Sequence, residues 1–138
     1  AELKSRQDIL QEQYVLTINI EAATTEQMAR TLVIPAALRA LAEIGEAAET
    51  LDDLGLDTSG VKALAQAVVT PVNTLQKAVG ALNEARKAAH HADDESVAMR
   101  DSVLPAMATV REACDALERE VASDIWPLPS YREMLFVK

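Results

Sequence analysis

Between Val61 and Leu82 apolar side chains recur at steps of four and three residues: Val61, Ala65, Val68, Val72, Leu75, Val79 and Leu82. On an α-helix this spacing keeps one face apolar over about six turns. A strand cannot use it, because its faces alternate every second residue. Two further stretches carry the same kind of seam, Ile34, Ala37, Leu41, Ile44, Ala48 and Leu51, then Val103, Met107, Val110, Cys114, Leu117 and Val121. Seams of similar length joined by short polar connections predict antiparallel helices packed on one another. The many alanines favour helix, and four aromatic residues in 138 leave little for strands to use. The expected fold is therefore an all-α, antiparallel bundle of long, proline-kinked helices.

The expected organisation is a single helical-bundle domain, 1–138, with helices over about 2–17, 21–50, 60–92 and 95–123 and an extended tail over 124–138. Thr17-Ile18-Asn19-Ile20-Glu21 gathers β-branched residues and Asn, so a break or bend is expected there, with Asn19 or Thr17 as the next cap. Leu51 to Gly60 holds two glycines among acidic and hydroxyl residues and reads as a connection, in which Asp57, Thr58 or Ser59 caps the helix that follows. Asp93-Asp94-Glu95 is a second connection, placing acidic groups at a helix N-terminus. Pro35, Pro71 and Pro105 fall one in each long helical pattern and are expected to kink rather than end it, because the seams keep phase across Pro71 and from Val103 to Met107. Their spacing is that of a helical repeat, but the flanking residues do not support one beyond the shared apolar pattern.

A net charge of −9 argues against nucleic acid and against an anionic membrane surface as partners. No apolar run approaches the length of a membrane span, and the single cysteine excludes an internal disulfide and fits a reducing compartment. His90-His91 before Asp93-Asp94-Glu95 is the most chemical-looking cluster. A metal site there would need further ligands from elsewhere, a phosphotransfer histidine would meet a repelling acidic run, and solvent-facing histidines at a helix C-terminus are the simpler expectation. Cys114 lies on a seam and reads as a small apolar filler. No phosphate loop, His-Glu-x-x-His, Cys-x-x-Cys or nucleophile elbow occurs, so no catalytic, cofactor-binding or metal-binding residue is expected in this chain.

Three of the four aromatic residues fall in the tail, Trp126-Pro127-Leu128-Pro129-Ser130-Tyr131-Arg132-Glu133-Met134-Leu135-Phe136. The two prolines demand an extended backbone. The large side chains need burial, either on this bundle or on another domain. This stretch resembles the end of type III glutamine synthetases, which finish in a Trp-Pro-x-Pro-Thr-Tyr-x-x-Leu-Leu-Phe type of motif; Ser130 stands where Thr is commoner. Thr17-Ile18-Asn19-Ile20-Glu21-Ala22, Met28-Ala29-Arg30 and Ile34-Pro35-Ala36 resemble that family's Ile-Asn-Ile-Glu-Ala, Met-Ala and Leu-Pro-Ala pattern, with Thr25 at a position where Met is expected. Val103-Leu104-Pro105-Ala106-Met107, Arg111 and Asp115-Ala116-Leu117-Glu118 resemble the segment before its tail.

The resemblance implies a non-catalytic C-terminal domain of a cytoplasmic, homo-oligomeric enzyme that joins ammonia to glutamate using ATP and Mg. The family's nucleotide and metal motifs have no counterpart here, so ATP and Mg belong to the parent enzyme and no catalytic residue carries over. The chain is expected to be a piece cut from the C-terminus of that larger enzyme, partnered by its catalytic domain and serving subunit packing, assembly or regulation. Trp126, Pro127, Pro129, Tyr131, Leu135 and Phe136 are the expected packing or interface residues. The rival reading is an independent helical adaptor or histidine phosphotransfer domain.

Overall fold

The computed structural model describes residues 2–129 and 131–135, apart from the side chains of Tyr131 and Arg132. Four helices pack together: α1 (Glu2–Met28), α2 (Ile34–Asp53), α3 (Ser59–Ala89), and the pair formed by α4 (Glu95–Ala98) and α5 (Leu104–Glu118). A short α6 (Tyr131–Leu135) follows the tail. No strand occurs among the described residues. α3 packs on α1, α2 and α5, and α1 reaches α4 and α5 as well, so one core serves all of them.

The expected break at Thr17–Glu21 does not form, and α1 runs through it unbroken. Ile18 and Ala22 are buried in the core, and the Asn19 side chain accepts from Arg86 of α3 instead of capping a helix. Thr24 and Thr25 donate their hydroxyls to carbonyls four residues back, the usual accommodation of threonine inside a helix. Tertiary contacts thus override a weak local preference.

The discontinuity lies further on, in a π turn over Ala29–Val33 directly before Ile34-Pro35. The Ile34 N–H donates to Ala29, five residues back. Proline offers no N–H and its ring crowds the preceding turn, and widening that turn by one residue relieves both problems while the helical path continues. The same device recurs at Met99–Val103 before Leu104-Pro105, where the Leu104 N–H donates to Met99. Pro71 sits inside α3 without one.

The two proline sites correspond residue by residue. Ala29-Arg30-Thr31-Leu32-Val33-Ile34-Pro35-Ala36 matches Met99-Arg100-Asp101-Ser102-Val103-Leu104-Pro105-Ala106, with Arg, Val, Pro and Ala identical. The near-even spacing of three prolines was thus not the repeat to look for; the likeness lies between the first and the third, which share a geometry that Pro71 lacks.

The seam of α3 is buried from Val68 through Val72, Leu75, Val79 and Leu82, with Val61 and Ala65 half-buried. From α5 and its flanks come Val103, Val110, Leu117 and Val121. α2 contributes only alanines to the fully buried set, Ala36, Ala37 and Ala40, with Ile34, Leu41 and Ile44 packed at its edge. The larger side chains of the core, Leu75, Leu82, Met99 and Leu117, thus belong to the α3–α5 half.

The connections are built as local chemistry requires. At the end of α2 the Gly55 N–H donates to Asp52 (2.9 Å) and the Leu56 N–H to Leu51 (2.9 Å), with Gly55 at φ +71°. This is a Schellman cap, which needs the left-handed conformation that glycine adopts without penalty. Asp57 accepts from the Ser59 amide and hydroxyl before α3. Asp94 accepts from the Val97 amide (3.0 Å) and caps α4. Gly55→Ala is expected to lower stability by about 1–2 kcal/mol, read as a lower midpoint in urea with unchanged slope.

Candidate functional site

A concentration of half-buried polar groups joins α1 to α3. The Glu26 side chain is only 13% exposed and accepts from Asn83 Nδ2 on both oxygens (3.1 Å each), from Arg86 Nη1 (3.1 Å) and from Arg30 Nε (3.1 Å). Arg86 also donates through Nε to Asn19 Oδ1 (3.2 Å). Burial by itself would raise the Glu26 carboxyl, but donation from Asn83 and Arg30, with the charges of Arg30 and Arg86, outweighs it and holds the group below its ordinary value of 4.5. The cluster carries no exposed nucleophile and no open coordination position. It fixes two helices to each other.

Sequence reading missed Glu26, Asn83 and Arg86 because all three look like ordinary surface residues of amphipathic helices. A signal was available in part: Glu26 to Arg30 is a four-residue acidic-to-basic step, beside an Asn19 with no stretch of loop to cap.

The histidine cluster is reshaped by where α3 ends. His90 caps the C-terminus of α3, and the chain turns through His91–Asp94 rather than continuing as helix. His90 therefore meets Glu95, its Nδ1 lying 2.5 Å from Oε1. That oxygen is buried and has no hydrogen-bond partner besides this close nitrogen. His91 is exposed. The pair borders a cleft of about 630 Å³ between the turn and α1, whose acidic lining includes Asp8, Glu12, Asp93 and Asp94. A phosphoryl group arriving at His90 would face this wall of like charge, which disfavours the phosphotransfer reading.

Among the described residues no group of three or more His, Cys, Asp or Glu side chains converges in a way that could hold a metal ion. Nor is any helix there long and apolar enough to cross a membrane. Cys114 is half-buried on α5, and burial, aided by the Asp115 charge, pushes its thiol from 9.0 up to about 11.

In the tail, Ile125, Trp126 and Leu128 pack half-buried against the bundle core. The Trp126 N–H donates to Ala122 (3.0 Å), which starts the excursion in a turn rather than in fully extended chain. Pro127 is half-buried and Pro129 exposed, and α6 replaces the extended end expected from the sequence. Leu135 is 76% exposed on α6. The Tyr131 side chain and Phe136 lie outside the described residues.

Comparison with known proteins decides what this bundle belongs to. The chain aligns over 99% of its length with a glutamine synthetase of Bacteroides fragilis (strain YCH46) at 29% identity, and over 99% with the type-3 glutamine synthetase of Dictyostelium discoideum at 33%. The chain is homologous to type-3 glutamine synthetase throughout. The family described as Glutamine synthetase C-terminal domain matches residues 1–52, which comprise α1, the first π turn and nearly all of α2. The chain spans 20% of the length of each of these two relatives. Asn19 of α1 and Arg30 of the π turn that follows it, which lie in the family-like motifs, are both in the polar cluster around Glu26.

Two outcomes follow from this chemistry. Because the folded Glu26 carboxyl is held low, the stability that it contributes is present above about pH 4.5 and is lost as pH falls below it. Glu26→Ala is expected to cost about 2 kcal/mol at pH 7 and to flatten the acid limb of the stability profile, measured by urea denaturation from pH 7 to 3. Cys114 is expected to react with a disulfide reagent at neutral pH roughly a hundredfold more slowly in the folded chain than in denaturant, since its thiolate fraction falls with a shift from 9.0 to about 11.

Proposed function

We propose that this bundle is a non-catalytic C-terminal region of a type III glutamine synthetase, serving subunit packing and assembly within a homo-oligomeric enzyme. The parent activity would be ATP-dependent ligation of ammonia to glutamate with Mg. The observation that carries the reading is homology over 99% of this chain to synthetases five times longer, in a chain whose half-buried polar cluster joins two helices.

The residues present do not fit the metal or the nucleotide. No set of three metal-ligating side chains converges among the described residues, and the sequence has no glycine-rich phosphate loop. ATP and Mg are therefore assigned to the remainder of the parent enzyme, and no step of the reaction is derived from this chain. Its partner in this reading is the catalytic domain of the same polypeptide, in the cytoplasm.

Within that role Trp126, Pro127, Pro129, Tyr131, Leu135 and Phe136 are proposed as the packing residues of the tail, divided between two duties. Trp126 packs half-buried against the bundle itself, which favours the docked tail by less than the about 1.5–3 kcal/mol of a fully buried side chain. Leu135, on an exposed helix beyond it, is free to meet a neighbour.

The isolated 138-residue chain, incubated with glutamate, ammonia, ATP and Mg, is expected to form no glutamine above background by coupled assay. Turnover would overturn the non-catalytic reading. In the full-length enzyme Leu135→Asp is expected to shift the oligomer towards smaller species by sedimentation while the isolated chain keeps its melting temperature.

A further inference from the structure

The turns after α5 leave an open apolar groove of about 330 Å³ against α2 and α3. Ile44 and Ala47 form its α2 wall, Val61 and Leu64 its α3 wall, and Ala122 and Ile125 close it from the turns. Leu64 is 58% exposed, while Ile44, Val61 and Ile125 are half-buried. The charged side chains of its lining are Glu43 from α2 and Glu120 from the facing side.

The surroundings of the groove hold most of the charge of the chain. Residues 39–62, from α2 through its turn into α3, and residues 111–124, from α5 onward, contain eleven of the 22 Asp and Glu but four of the 13 Lys and Arg. These two stretches therefore carry −7 of the net −9. Among the described residues one ion pair, Arg111 with Asp115 at 3.9 Å, answers any of these eleven carboxylates. Elsewhere Glu2, Glu26, Glu84 and Asp101 each have an Arg or Lys partner.

Charge selects the occupant. A second copy meeting this face with its own would set −7 against −7, and the rest of the chain is net acidic as well; like charges opposed across an interface work against association. Nucleic acid and anionic lipid fail for the same reason. Permanent cover by the same polypeptide would enclose Glu43 and Glu120 at a desolvation cost, and permanent interfaces are the more apolar ones. A rim of exposed carboxylates around an apolar groove instead suits a reversible partner, steered in by charge and held by a few apolar side chains.

We propose that this groove receives a basic amphipathic segment of a separate protein, whose apolar residues meet Leu64 and Ile44 while its Lys or Arg side chains meet Glu43 and Glu120. The inference goes beyond the assembly role proposed above and stands on the groove and its charge alone.

Fluorescence anisotropy with two fluorescein-labelled peptides tests this on the full-length enzyme. One peptide carries Leu at helical steps of three and four among Lys, and the other has the same composition in shuffled order. The ordered peptide is expected to bind about tenfold more tightly than the shuffled one, and to lose about tenfold in Leu64→Gln and likewise in Glu43→Gln with Glu120→Gln, at unchanged melting temperature. Asp8→Asn with Glu12→Gln, in the acidic cleft beside His90, is expected to change its affinity by less than about twofold. Equal binding of the two peptides, or an equal loss in the Asp8 and Glu12 variant, means that diffuse charge alone acts and overturns the proposal. The 138-residue chain, once circular dichroism and a cooperative melt establish that it is folded, provides the second arm. Binding there but not in the full-length enzyme puts the rest of the polypeptide in the groove and overturns it too, as does a dimer of the chain that Leu64→Gln abolishes in sedimentation. None of these readouts depends on glutamine formation, so the synthetase reading stands or falls separately.

Discussion

A half-buried carboxylate is best answered by donors at fixed positions, and Glu26 imposes that requirement on the pairing of α1 with α3. Apolar packing between α1 and α3 is made largely of small or aliphatic groups, which tolerate sliding by a turn with modest loss. Glu26 does not tolerate it, because a slip leaves its charge without Asn83 and Arg86 at real desolvation cost. The position of α1 along α3 thereby becomes discrete. Everything carried by α1 inherits that setting, including its side of the acidic cleft beside His90.

The core is unevenly distributed around this fixed point. α3 and α5 supply the bulkier buried side chains, and α2 supplies alanines. Alanine allows close approach but yields little burial of its own. The far end of α2 is thus held by its half-buried Ile34, Leu41 and Ile44 and by the capped turn at Gly55.

Much of this fold was legible from the sequence. The α3 seam was read residue by residue, because a buried face written in Val and Leu against polar neighbours has one interpretation. The class and the connections followed from it. The break at Thr17–Glu21 was misread because β-branched residues weaken a helix only when nothing tertiary holds it, and here Ile18 and Asn19 are both engaged by α3 or the core. The π turns were missed although the sequence carries their trace: Ala29, Val33 and Ala37, like Met99, Val103 and Met107, advance by two successive steps of four where a regular helix alternates four and three. Of the candidate site, the Glu26 cluster was not readable, since charge on an amphipathic helix is normally solvated and only the third dimension shows which charge is partly enclosed.

Each π turn holds one residue more than the α-helical turn it replaces, which amounts to about 100° of rotation. The α1–α2 rod is consequently two helices spliced with an angular offset. The face that α1 presents and the face that α2 presents are set independently, as two blades can be set on one shaft. The same splice joins α4 to α5. A continuous straight helix has one register along its length; a spliced one can set the face that α2 turns to α3 independently of the face that α1 turns to it.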